Sequence, residues 1–276
     1  MIGKRVLGNT GVEVTILGLG GEGVLRTEGH DKQAYALINR AIDLGINYCE
    51  SARAYAGSES YYGLALKQRR KDVFLTSKSH ARTRAGALSN LHETLAHMKT
   101  DHLDLWQVHD VRTAEDIDQI FAPGGAIEAF VEAKEKGLTR FVGVTGHHDP
   151  SVLRKCMERF AFDTVLLPVN PAEPSYASFI DNVIPQARKR GMGIVGMKVY
   201  LRGVAARLPW CRSMEPLLHF ALSQPITTAV VGCDSVAQLE ENVRFAESFS
   251  LLPDDYQREL IRLTEPYARS LMYYKP

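Results

Sequence analysis

The stretch ILGLGGEGVLRTEG (residues 16–29) decides between two ways of winding this chain. Gly18, Gly20, Gly21 and Gly23 spell G-x-G-G-x-G after an apolar run, close to the fingerprint that opens a dinucleotide-binding doubly wound sheet. That fingerprint works only if a helix begins at once, so that its free amides meet a pyrophosphate. Here Glu22, Arg26, Thr27, Glu28 and Gly29 follow, and no strong helix is predicted. The glycines therefore do not specify a doubly wound sheet, and the pattern on either side has to choose the fold.

Working outward, short apolar runs alternate with longer amphipathic stretches. The predicted strands are ILGLG (16–20), INYC (46–49), VFLTS (73–77), LDLWQVH (103–109), RFVGVTG (140–146), TVLLPV (164–169), GIVGMKV (193–199) and TTAVVG (227–232). Between them, segments such as 32–45 repeat apolar residues at helical spacing, with Ala34, Leu37, Ile38, Ala41 and Ile42 on one face and Gly45 placed to end the helix. The stretches 85–98, 126–137 and 236–249 follow the same logic. Near-continuous apolar strands are parallel strands covered on both sides. Eight such βα units in a chain of this length predict an α/β fold of the (β/α)8 TIM-barrel type. An N-terminal β-hairpin turns at Asn9-Thr10-Gly11, and a C-terminal helical tail from Pro253 onward is expected to pack on the outside. With no linker or low-complexity tract, one domain over 1–276 is expected.

Composition narrows the partners. The 276 residues are 45% hydrophobic with 33 basic and 32 acidic side chains, a balance that gives nucleic acid or an anionic membrane no electrostatic purchase. No apolar run reaches the about 18 residues of a membrane span. The opening MIGKRVLGNTGVEV lacks the apolar core of a signal peptide. Cys49, Cys156, Cys211 and Cys233 are widely spaced, as reduced thiols in a cytoplasmic protein would be. Oligomeric state is not legible.

In a barrel, reactive groups belong at the C-terminal ends of the strands. The second predicted strand ends on Glu50, the third on Lys78 and the fourth on His109, with Tyr55 in the first of those loops. Taken singly, a carboxylate or lysine at a strand end is usually a solvated surface group, and a histidine there is usually a hydrogen-bonded core group. Three on neighbouring strands beside one tyrosine suit proton transfer. A phenol is a poor acid at neutral pH unless its anion is stabilised. An ammonium does that, a carboxylate keeps the ammonium charged, and a neutral histidine hydrogen-bonds a carbonyl oxygen.

These residues resemble the Asp, Tyr, Lys and His tetrad of the aldo-keto reductase superfamily, in a divergent bacterial form. LGNTGVEVTILGLGG, GINYCESARAYAGSE, DHLDLWQVH and GCDSVAQLEENV resemble four ordered segments of that family. The resemblance implies an NAD(P)H-dependent oxidoreductase that reduces a small aldehyde or ketone, with Tyr55 as acid/base, Lys78 lowering its pKa and His109 orienting the carbonyl. NADP(H) is the implied cofactor, with NAD(H) possible. The implied cofactor contacts are Gly20, Glu50, Thr145, Asn170, Met197, Lys198, Arg202, Gly232, Asp234, Ser235, Gln238, Glu241 and Asn242.

Several positions depart from the family. Glu50 replaces its aspartate, Thr145-Gly146 its Ser-Asn pair, Leu166 its glutamine, and Met197 its stacking aromatic ring. Asp234 brings negative charge to the region where relatives carry cations. Lys198 suits either the cofactor's phosphates or a substrate acid. Trp106, Asp110, Arg112, Trp210 and Tyr273 are candidates for shaping the substrate pocket. Adjacent histidines point apart, so His147-His148 is not read as a metal site and none is expected. Two other readings stand beside the reductase: a dinucleotide-binding regulatory protein with little turnover, and a lyase using Lys78 as a Schiff-base amine. The Q-L-x-E-N segment argues against the lyase.

Overall fold

All eight predicted runs become barrel strands in the computed structural model, which describes residues 1–276. Two short strands, β1 (Lys4–Val6) and β2 (Glu13–Thr15), pair antiparallel as a hairpin. Eight parallel strands follow: β3 (Leu17–Gly23), β4 (Tyr48–Glu50), β5 (Phe74–Ser79), β6 (Leu103–Val108), β7 (Thr139–Thr145), β8 (Thr164–Pro168), β9 (Gly193–Met197) and β10 (Thr228–Cys233). They close in chain order, with β10 beside β3, and helices cover the outside.

The glycine run is strand, as the missing helix signal implied, but β3 runs through all of it instead of stopping at Gly20. A short 3-10 turn over Val24–Arg26 follows, and the first α-helix starts only at Asp31. The glycines allow close approach. A Cβ on Gly20 would sit 3.0 Å from the backbone of Gly232 and Val231, so β3 and β10 touch where side chains would hold them apart.

The hairpin plugs the N-terminal end of the barrel. Leu7 and Val14 pack against Tyr48, Phe74, Leu105 and Val195 inside it, and the Asn9 N–H donates to the Gly191 carbonyl at 2.8 Å. Outside the strands, Trp106 stacks on Phe130 with ring centroids 3.8 Å apart. Burying a side chain of that size contributes roughly 4–6 kcal/mol of transfer free energy. Trp106 therefore belongs to the strand–helix core and not to the pocket. Trp210 is likewise remote, donating to the Leu263 carbonyl at 3.0 Å.

The tail departs from expectation. Its helix Asp254–Thr264 lies outside, but the residues beyond Leu271 return across the C-terminal mouth of the barrel. There the Tyr274 hydroxyl donates to Glu173 Oε1 at 2.7 Å, and Lys275 Nζ pairs with Glu173 Oε2 at 2.8 Å. Hydrogen bonding explains the return. Lys275 Nζ also donates to the Tyr176 and Ala177 carbonyls at 2.7 and 2.9 Å, so all three of its protons are satisfied in full burial. No helix is long and apolar enough to cross a membrane.

Candidate active site

Register brings the charged residues together. Glu50 pairs with Thr76 and Lys78 with Gln107, so neighbouring strands deliver Glu50, Lys78 and, just past β6, His109 to one rim. Lys78 and Glu50 form an ion pair, both almost wholly buried. Lys78 Nζ also donates to the Ser51 carbonyl at 2.8 Å, and Glu50 Oε2 accepts from the Gly21 N–H at 2.9 Å. Each Glu50 oxygen thus has its own partner, one on β5 and one on β3. Burial presses the Lys78 pKa well down, opposed by the negative charge of Glu22, and Glu50 is the carboxylate in direct contact with the ammonium.

The Tyr55 ring lies over this pair. Lys78 Nζ is 4.9 Å from its centroid and the Arg26 guanidinium 5.3 Å, with the His109 ring edge-on at 6.2 Å. A Cβ on Gly21 would stand 2.7 Å from Tyr55 Cδ2 and 2.8 Å from the Glu50 carbonyl oxygen, which ties the glycine run directly to the tyrosine. Burial pushes the Tyr55 phenol up, Glu22 adds to this, and Arg26 and Arg202 oppose it, so the phenol is protonated at neutral pH.

Burial, followed by the positive charge of Lys78, holds the His109 pKa well below its usual value, and the ring is neutral at pH 7. The His80 ring packs on it at 3.8 Å between centroids. The loop carrying His109 is clamped by Arg82, which donates to the His109 and Asp110 carbonyls at 2.9 and 2.8 Å and pairs with Asp116 at 2.8 Å. Thr145 Oγ1 accepts from the Asp110 N–H at 2.7 Å and so braces the same loop.

Two cavities open at the rim, of about 410 and 380 Å³, and share Glu22, Tyr55, Met197, Lys198 and Arg202 as a common wall. The first runs from Glu50 and Tyr55 over Gly20 and Gly232 to Asp234, Gln238, Glu241 and Asn242. The second holds Lys78, His109, Thr145, Leu166 and His147, with Asp110, Arg112, Tyr273 and Tyr274 around its mouth. Of the catalytic and cofactor residues proposed from sequence, Ser235 and Asn170 line neither. Ser235 Oγ caps the helix Val236–Glu247 by accepting from the Gln238 N–H at 3.2 Å. Asn170 donates to the Lys198 carbonyl at 3.3 Å and the Tyr274 hydroxyl at 3.1 Å, an anchor for the tail. Asn242 accepts from the Tyr200 hydroxyl at 2.9 Å and braces the loop after β9. In that loop Lys198, Leu201 and Arg202 all have positive φ, between 52° and 58°. Side chains with a Cβ occupy that region only under constraint.

Sequence reasoning missed Glu22, Arg26, His80 and Arg82. Glu22 Oε1 accepts from Arg26 at 2.7 Å and lies 3.3 Å from Arg202 Nη2, bridging the loops after β3 and β9. Extending the strand-end rule to the whole of β3 identifies it, because Glu22 sits at that strand's C-terminal end.

Chemically, a protonated phenol, a buried ammonium–carboxylate pair and a neutral imidazole stand where the two cavities meet. A model of the aldo/keto reductase family matches residues 16–208. The uncharacterized oxidoreductase YqkF of Bacillus subtilis is 23% identical, over 91% of this chain and 94% of its own length. L-galactose dehydrogenase of Arabidopsis thaliana is 25% identical over 95% and 94%. In fold, an aldo-keto reductase of Bacillus halodurans in its holo form superimposes with a TM-score of 0.80 at 24% identity, covering 95% of this chain and 96% of the other. By the extent of the family match, this chain belongs to the aldo/keto reductase family.

Proposed function

We propose that the protein is an NADP(H)-dependent oxidoreductase that reduces a small aldehyde or ketone to the alcohol, with Tyr55 as the proton donor. The reading rests on one observation: Tyr55, above the Lys78–Glu50 pair and edge-on to a neutral His109, lies in the wall shared by both cavities. A solved aldo-keto reductase of Klebsiella pneumoniae, 21% identical with a TM-score of 0.79 and 96% of each chain covered, is in complex with NADPH.

The residues of the first cavity fit a dinucleotide. Its glycine floor has no side chain at Gly20 and Gly232, and a Cβ on Gly232 would strike Glu22 at 2.7 Å. At the far end, the first turn of the helix Val236–Glu247 offers free amides. A dinucleotide held there would supply hydride to the carbonyl carbon. Tyr55 gives its proton to the carbonyl oxygen, and the Lys78 ammonium beneath the ring stabilises the phenolate that results. Glu50 keeps Lys78 protonated, and His109 donates a hydrogen bond that orients the oxygen. NAD(H) is the second cofactor candidate, because Asp234 and Glu241 give a 2′-phosphate no local advantage.

One observation favours a slow-turnover, dinucleotide-sensing reading. Thr145 and Asn170, the two positions available for a nicotinamide amide, already brace the His109 loop and the tail. Titration with NADPH and NADH, followed by nicotinamide absorbance against a panel of aldehydes and ketones, separates the two. Carbonyl-dependent oxidation that falls by about 10²–10⁴-fold in Tyr55→Phe supports the reductase. Unchanged turnover in that variant refutes Tyr55 as the donor, and tight binding without turnover favours the sensor.

A further inference from the structure

The second cavity carries more positive charge than the proposed chemistry uses. Its cationic lining is Arg26, Lys78, Arg112, Lys198, Arg202 and Lys275. Four carboxylates answer them. Glu50 holds Lys78, Asp110 holds Arg112 at 2.6 Å, Glu173 holds Lys275, and Glu22 divides one oxygen between Arg26 and Arg202. Burial keeps His80, His109 and His147 from adding charge, His147 being lowered to about 4. Six cations against four carboxylates leave the chamber with a surplus of two. One surplus falls on the guanidiniums sharing Glu22 and the other on Lys198.

Lys198 is the unmatched group. Its ammonium stands 5.6 and 5.8 Å from the ring centroids of Tyr273 and Tyr274 and has no ion-pair or hydrogen-bond acceptor of its own. Burial brings it down to about 8, with Glu22 pulling the other way, so it is mainly charged at neutral pH. Lys198 is half-buried, so an ammonium without a partner there gives up part of its hydration, and the backbone beneath it is also held at φ 58°. Its carbonyl accepts from Asn170 Nδ2 at 3.3 Å and from the Leu201 N–H at 3.0 Å, which fixes the ammonium's starting point. Such preorganised, unmatched charge suits an anion that arrives with a ligand. The aromatic rings over Nζ line the second cavity and not the first. His147, in the second cavity, is among the groups whose titration Lys198 depresses. Lys198 lines both cavities, and the ring contacts turn its ammonium toward the substrate's side of the shared wall.

We propose that the protein prefers carbonyl substrates bearing a second, anionic group, a carboxylate or phosphate a few bonds from the carbonyl, with Lys198 as its counter-ion and the Arg26/Arg202 pair as support. The proposal rests on the reductase reading. It makes Lys198 a specificity determinant for the substrate, not a ligand of the dinucleotide.

The test compares matched substrates with NADPH: 4-oxobutanoate against butanal, and glyceraldehyde 3-phosphate against glyceraldehyde. The expected result is kcat/KM about tenfold or more higher for at least one anionic member, carried by KM, which is about 1.4 kcal/mol. Whichever pair shows it identifies carboxylate or phosphate. Lys198→Met is expected to abolish the preference, Lys198→Arg to keep much of it, and NADPH affinity, read by fluorescence quenching, to change little in either. Equal turnover of charged and neutral substrates overturns the proposal and leaves the reductase standing. A large loss of NADPH affinity in Lys198→Met with the preference intact also overturns it, because Lys198 then serves the cofactor. No turnover of any substrate removes the reductase reading and this proposal with it.

Discussion

Glu50 shows how one methylene is absorbed at the residue scale. Its carboxylate reaches both Lys78 and the Gly21 N–H, so the longer side chain spans from β5 to β3. That bridge sets Gly21 against the Tyr55 ring, and the position tolerates no side chain. In Gly21→Ala the new Cβ would stand 2.7 Å from Tyr55 Cδ2 and 2.8 Å from backbone oxygen. The ring is the part able to move, so the expected outcome is a displaced Tyr55. Activity should fall about 10²-fold, as a misplacement of about 1 Å of a reacting group does, with a much smaller loss of dinucleotide affinity. Steady-state kinetics beside cofactor titration checks this, and wild-type kcat would refute the Gly21–Tyr55 coupling. Glu50, Lys78 and His109 were legible because strand ends at a barrel rim can be counted along the sequence. Glu22 and Arg26 were not, because the glycine run hid the last three residues of β3. The actual partners of Ser235 and Asn170 depend on which side chains approach them in space, which no spacing reports.

Elements were read more securely than their ends. Buried parallel strands must be apolar almost throughout, so each left an unmistakable run in the sequence. Their ends are set by register with neighbours, as when β3 extends to Gly23 to meet Cys233 on β10. The 3-10 segment Leu201–Arg207 was invisible for a different reason: its left-handed residues include Leu201 and Arg202, types that do not announce that conformation. In the hairpin, turn chemistry was legible but its burial was not. Gly8 and Gly11 both have positive φ, 53° and 71°. A Cβ on Gly11 meets nothing within 4 Å, whereas one on Gly8 would lie 2.2 Å from the Gly193 backbone nitrogen. Gly11→Ala is therefore expected to cost about 1 kcal/mol from backbone conformation alone. Gly8→Ala must also lift the plug from the barrel, and about 3 kcal/mol or more is expected, a Tm fall of roughly 6–12 °C. Thermal unfolding of the two variants decides it, and equal Tm values would mean that the hairpin does not seal the barrel.

Across the whole molecule, the C-terminal tail joins stability to the pocket. Glu173 follows β8 and Lys275 lies 102 positions later, yet they meet in full burial at the barrel mouth. An amphipathic pattern places a helix against a surface, but it carries no information about where the chain goes afterwards, so the tail's return could not be read from sequence. A three-way satisfied ammonium fixes it, together with the hydrogen bonds that Tyr274 makes to Glu173 and Asn170. Because Tyr273 and Tyr274 precede Lys275 directly, the ion pair also sets the aromatic cover over Lys198. Lys275→Met leaves the Glu173 carboxylate buried and uncompensated, which costs about 3–5 kcal/mol unless the tail lets go. Release of the tail is the cheaper response, since it admits water to Glu173. The expected outcome is a Tm lower by roughly 6–20 °C, faster amide exchange over residues 268–276, and a raised KM for the carbonyl substrate. Glu173→Gln added to Lys275→Met removes the stranded charge and should recover much of the Tm, but not all of the KM, since Tyr273 and Tyr274 still lack the Lys275 clamp to the Tyr176 and Ala177 carbonyls. If Lys275→Met keeps both the Tm and the KM of the parent, the tail is held by its apolar contacts instead, and the ion pair does not shape the pocket.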